Sequence, residues 1–65
     1  MKDTAGREIE TGDVVISKLT TGLYRVIDMY GDIIKLEDME YRHMTFATTT
    51  GHLFTIIKKG ASVYA

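Results

Sequence analysis

Two aspartates in this chain each stand directly behind a glycine and ahead of paired β-branched residues: Gly12-Asp13-Val14-Val15 and Gly31-Asp32-Ile33-Ile34. Carboxylates that converged on one substrate could divide the duties of general acid and general base. Such work also needs a converging partner group, which the sequence does not suggest. The glycine-aspartate pairs have a simpler use at the start of a strand. Glycine reaches backbone angles that other residues avoid, and an aspartate just after it can accept a hydrogen bond from a nearby backbone N–H. Both pairs therefore read as turns, and no enzymatic activity is expected.

His43 and His52 are the two histidines. A three-residue hairpin loop at Thr49–Gly51, with glycine in the left-handed position, would set Thr48 opposite His52, Phe46 opposite Phe54 and His43 opposite Ile57. Side chains alternate between the faces of a strand, so the two imidazoles would fall on opposite sides of the sheet and could not share one ion. Neither a metal nor a cofactor is expected. The absence of cysteine excludes disulfides, thiolate metal sites and cysteine nucleophiles together. Ser17 and Ser62 lie in no nucleophile motif, and no phosphate-binding loop is present.

The stretch Glu37–Phe46, "EDMEYRHMTF", offers different chemistry. It sets three carboxylates beside Met39, Tyr41, Arg42, His43, Met44 and Phe46. Methionine, tyrosine and arginine are enriched in the cores of protein interfaces, and methionine adapts to irregular surfaces. Met39, Tyr41, Arg42 and His43 are the candidate binding residues on this reading. The competing reading is an ordinary loop followed by a strand whose alternate residues, Met44 and Phe46, fill the core. The remaining cations, Lys18, Arg25, Lys35, Lys58 and Lys59 beyond Lys2 and Arg7, are scattered. Asp28, Asp32, Glu37 and Asp38 dilute any basic face they could form.

These side chains must be carried by strands. Short runs rich in Val, Ile, Thr, Tyr and Phe recur between glycines and polar clusters, and no window sustains a helical period. The punctuation predicts strands at Val14–Leu19, Leu23 to about Met29, Ile33–Glu37, Arg42–Thr48 and Leu53–Lys58. Ser62–Tyr64 offers a short closing strand, and Glu37–Tyr41 reads as a turn or loop. Many short strands joined by glycine turns predict an all-β fold, a small five- or six-stranded barrel or sandwich spanning 1–65 as one domain. The expected core is Val15, Val26, Ile27, Ile34, Leu36, Met44, Phe46, Phe54 and Ile56. Pattern alone does not decide which of Val14/Val15, Val26/Ile27 and Ile33/Ile34 points inward, because a shift of one residue flips the face.

The order Asp3, Gly6, Ile9, Gly12-Asp13 and then an apolar run resembles the start of Src-homology-3-like small barrels, including the bacterial KOW-type domains. The stretch "GLYRVIDMYGDIIKLED" is similar to their second and third strands, so the resemblance spans roughly residues 3 to 38. It implies a barrel whose first strand is launched by the glycine-aspartate turn and whose end is plugged by an earlier apolar residue. Only Gly22 stands where KOW domains carry a further glycine-rich loop.

Sixty-five residues bury only about 60% of the surface that the unfolded chain exposes. A core that small leaves oligomerisation open as a further source of stability. A hydrophobic share of 45% and a charged share of 26% are those of a folded globular protein. The net charge of −1 and pI near 6.0 lack the basic surplus of a domain that grips phosphate backbones. No apolar run reaches the roughly 20 residues of a membrane span, and "MKDTAGREIE" lacks the apolar stretch of a signal peptide, so a cytoplasmic protein with no membrane partner is expected. The expected function is that of a non-catalytic binding module docking another protein, a small regulatory or accessory protein of phage or prophage type. The alternative is a nucleic-acid-associated KOW-like barrel.

Overall fold

Five of the β-branched runs become strands in the computed structural model, which describes residues 1–60. They are β1 (Val14–Ser17), β2 (Leu23–Tyr30), β3 (Ile33–Asp38), β4 (Thr45–Thr48) and β5 (Phe54–Lys58). One sheet contains them all, in the order β4-β3-β2-β1-β5, and every neighbouring pair is antiparallel. The strands β4 and β5 are its two edges, so the sheet is not closed into a barrel. The possible closing strand at Ser62–Tyr64 lies outside the described residues.

The two glycine-aspartate pairs do different jobs. Gly31 has φ of +61° and is the first of two residues linking β2 to β3, the place where a two-residue hairpin turn of type II′ takes glycine. Asp32 beside it is exposed. Gly12 has φ of +95°, but the aspartate after it is fully buried. Asp13 Oδ2 accepts the Glu10 amide (2.8 Å) and Lys59 Nζ (2.7 Å), while Oδ1 accepts the Gly60 amide (2.9 Å). This carboxylate ties the end of β5 to the turn that launches β1.

Ile9, Val15, Val26, Ile34, Leu36, Phe54 and Ile56 form the buried core, with Met1, Tyr24, Met29 and Leu53 packed against it. Val15, Val26 and Ile34 are thus the inward members of their pairs. Ile27 is not in the core as expected, because it follows the inward Val26 and so turns to the other face; β2 also carries a bulge there, Val26 pairing with Leu36 and Asp28 with Lys35. The extra residue resets the alternation, so Met29, and not a residue two places after Val26, next faces inward.

Met44 and Phe46 also depart from expectation, being 56% and 42% exposed. The cause is the placement of β4. The expected hairpin between the fourth and fifth strands does not exist; β4 pairs with β3 (Phe46 with Leu36), and β5 pairs with β1 (Ile56 with Val15). The chain instead crosses between the two edges through a short 3-10 turn, Gly51–Leu53. Gly51 is buried and its φ is not positive. It lies close against Met1, whose side chain would have to shift to make room for a methyl group there. The strand expected from Arg42 begins only at Thr45, because residues 42 and 43 lie in a turn.

The free edge of β5 is covered by the N-terminal turn. In an antiparallel ladder the backbone groups of alternate residues point to opposite neighbours. The Lys18 amide donates to Leu53 O (2.8 Å), which leaves Phe54 and Ile56 facing away from β1. Their groups all find partners. Phe54 O accepts the amide (2.9 Å) and hydroxyl (3.1 Å) of Thr4, and the Phe54 amide donates to Gly51 O. The Ile56 amide donates to Asp3 Oδ2 (2.9 Å), and Ile56 O accepts the Arg7 guanidinium. Asp3, its side chain wholly buried, also accepts the amides of Ala5 (3.0 Å) and Arg7 (2.8 Å) at Oδ1 and pairs with Arg7 Nη2 at 3.4 Å.

Candidate functional site

The candidate residues Met39, Tyr41, Arg42 and His43 all fall in the turn between β3 and β4, and the turn is held from within. Asp38, the last residue of β3, accepts the amides of Glu40 (2.8 Å) and Tyr41 (3.0 Å) on one carboxylate oxygen. Its own amide donates to Met44 O (3.0 Å), and the Met44 amide donates to Tyr41 O (2.8 Å). An aspartate that bonds the backbone two and three residues ahead fixes a turn without a regular element. Asp38 was legible in the sequence only as part of an acidic cluster; its positioning role needed the turn's path.

The side chains that this frame presents are unequal. Tyr41 is 53% exposed. Arg42 and His43 are exposed as well, whereas Met39 is half-buried. The Met39 amide donates to Leu23 O (3.0 Å), which joins this turn to the one between β1 and β2. An open cleft of about 360 Å³ lies between the two turns, lined by Thr21, Gly22, Leu23, Asp38, Met39 and Glu40.

The β1–β2 turn is itself strained. Ser17 Oγ accepts the amides of Leu19 (3.1 Å) and Thr20 (3.3 Å), and the Thr21 amide donates to Ser17 O (3.0 Å). Tightening the chain in this way leaves Thr21 with φ of +56°. A β-branched residue rarely accepts that angle, and Thr21 is the one non-glycine residue among those described that does. Ser17 Oγ thus fixes the backbone of this turn.

On the other side of the β1–β2 turn is a smaller apolar groove of about 210 Å³, whose lining includes Leu19, Tyr24, Phe46, Leu53 and Phe54. Tyr24 stands edge-on to Phe46 (5.3 Å between centroids) and to Phe54 (6.0 Å). One ring on β2 therefore meets aromatic residues from both edges of the sheet. Leu23 (42%) in the cleft and Leu19 (74%) in the groove are exposed.

His43 and His52 are both exposed. The opposition between them inferred from a β4–β5 hairpin has no counterpart, because those strands do not pair. Among the described residues no three His, Cys, Asp or Glu side chains gather as a metal site would require. None of the described helices is long and apolar enough to cross a membrane. No family model, curated protein or solved structure gives a significant match to this chain.

Proposed function

We propose that this chain is a small Src-homology-3-like barrel acting as a non-catalytic module that docks another protein through the β3–β4 turn. The barrel assignment draws support from the strand order and from the bulged eight-residue β2, which serves β3 along most of its length and β1 at its start. The convergence of Phe46 and Phe54 on Tyr24, from the two edges of the open sheet, also favours a barrel.

The observation that carries the docking proposal is the internally clamped turn that holds Tyr41 and Arg42 out into solvent beside an open cleft. A loop whose backbone is already fixed loses less conformational entropy on binding. Tyrosine and arginine are the residue types that most often anchor an interface. Three carboxylates, Asp38, Glu40 and Glu37, accompany the turn's Arg42, a mixture suited to a protein partner more than to a phosphate backbone.

The test is affinity capture from the native host with and without nuclease, using wild type, Tyr41→Ala and Arg42→Ala. A protein retained after nuclease by wild type, and bound about 30-fold more weakly by either variant, is expected if each anchor contributes about 2 kcal/mol. Circular dichroism of the variants checks that the sheet is intact. Equal capture by all three chains, with the complex dissolving by about 200 mM salt, would replace docking with nucleic-acid binding.

A further inference from the structure

The two edges of the sheet are treated differently, and the difference points to a second copy of this chain. The outward backbone groups of β5 at Phe54 and Ile56 are used up by the N-terminal turn. Those of β4 find no partner among the described residues. Because the Asp38 amide donates to Met44 O, the alternation turns the groups of Met44, Phe46 and Thr48 toward β3 and those of Thr45 and Ala47 away from it. Beyond the β3 ladder, no described residue bonds to Thr45 or Ala47. The run from Thr45 to Thr50 carries no charge and no proline, and Thr45, Phe46 and Ala47 are all exposed. Natural sheets guard such an edge with lysine, proline or a covering loop, and among the described residues the guard lies on the opposite side.

We infer that β4 pairs antiparallel with β4 of a second copy about a two-fold axis at Phe46. The geometry fixes the register. Only Thr45 and Ala47 offer outward groups, so Thr45 of each copy faces Ala47 of the other, making four backbone hydrogen bonds. Phe46 then faces its own symmetry mate at a non-hydrogen-bonded position, where Cα atoms lie about 4.5 Å apart and side chains meet most closely. Phe46, already against Tyr24 on one flank, would bury its exposed flank on its mate, continuing the apolar groove across the axis. On the same face Met44 lies opposite Thr48, and no like charges are opposed.

A head-to-tail assembly would need β4 of one copy to add to β5 of the next, and the Asp3, Thr4 and Arg7 contacts block that edge. The assembly is therefore isologous and closes at two. Four residues of strand bury much less than the roughly 800 Å² per partner of a stable interface, so the dimer is weak and concentration-dependent. This inference is independent of the docking role of the β3–β4 turn.

Sedimentation equilibrium of the full chain over the micromolar to millimolar range tests it. The mass should rise from 7.3 kDa toward twice that value. Ala47→Pro removes an outward donor without touching the β3 ladder, and should remain monomeric with an unchanged circular dichroism spectrum. As a second arm, Phe46→Cys introduces the chain's single thiol at the axis. It should form a disulfide-linked dimer under mild oxidation at least tenfold faster than Thr48→Cys or the remote, more exposed Tyr30→Cys. A monomer at every concentration overturns the inference, as do open-ended oligomers or equal crosslinking at the three positions. Slow hydrogen exchange of the Thr45 and Ala47 amides in a proven monomer would also overturn it, by showing that the edge is covered within the chain.

Discussion

The carboxylate of Asp3 accepts the amide of Ile56 at 2.9 Å, an acid on a turn filling the place in the ladder that another strand would take. Arg7, paired with the same carboxylate, supplies the matching donor to Ile56 O. One ion pair thus presents to β5 both an acceptor and a donor, as the backbone of a neighbouring strand does.

Asp3→Ala should therefore destabilise by roughly 1–3 kcal/mol, since it leaves the buried Ile56 amide without a partner. Urea denaturation followed by circular dichroism gives the value. The pH dependence identifies the cause. Burial disfavours the charged form of Asp3, but the amides of Ile56 and Arg7 and the Arg7 guanidinium outweigh it and hold the carboxyl below its ordinary value. A depressed carboxyl contributes stability above its unfolded value of about 3.9 and loses it as pH falls through the folded one. Wild type should lose stability steadily below about pH 4, and Asp3→Asn should show a shallower loss over that range.

The inward faces of the strands make a paired prediction. Ile34→Ala should cost about 2–5 kcal/mol, because Ile34 is completely buried and its loss leaves a cavity. Ile33→Ala, one residue away on the exposed face, should cost much less, about 0.5 kcal/mol. Similar urea midpoints for the two variants would mean that β3 is rotated from the register described.

Two glycines that sit close to their neighbours should respond differently to a methyl group. At Gly60 it would overlap the backbone of Gly12, and relief requires lifting the segment whose Gly60 amide and Lys59 ammonium are bonded to buried Asp13. At Gly51 the closest atoms belong to the flexible end of Met1. Gly60→Ala should destabilise by about 1–3 kcal/mol, in the range of overpacked cores. Gly51→Ala should lower the thermal midpoint by less.

Strand positions were legible in the sequence because glycine and threonine clusters interrupt β-branched runs, and four of the five strands start within a residue of where that punctuation puts them. Pairing was not legible. Nothing in "TFATTTGHLF" separates a hairpin from a crossover between sheet edges, since both need a turn at the same place; the difference lies in the distant partners, β3 for β4 and β1 for β5. The bulge at Ile27 was hidden for a related reason, as its extra residue is defined by the partner strand and not by local pattern. Of the candidate site, Tyr41, Arg42 and His43 were found by residue type and do lie exposed in one turn. Asp38, which holds that turn, and the strained Thr21 across the cleft could be recognised only once the backbone path was known.

Thr21 supports the last prediction. Its φ of +56° costs a β-branched residue on the order of 1–3 kcal/mol, while glycine takes that angle freely. Against this, Thr21→Gly gives up the Thr21 hydroxyl bond to Thr20 O (2.6 Å) and adds freedom to the unfolded chain worth about 0.5–1 kcal/mol. The bond is exposed and local, so its loss is small. The balance favours a gain of about 1 kcal/mol, read as a higher urea midpoint with an unchanged slope. Strain kept in a turn that borders the cleft is consistent with a shape held for binding. The same substitution should then weaken capture of the partner while raising stability, a pairing that a purely structural role for Thr21 does not produce. A lower midpoint would show that the threonine side chain contributes more than its backbone angle costs.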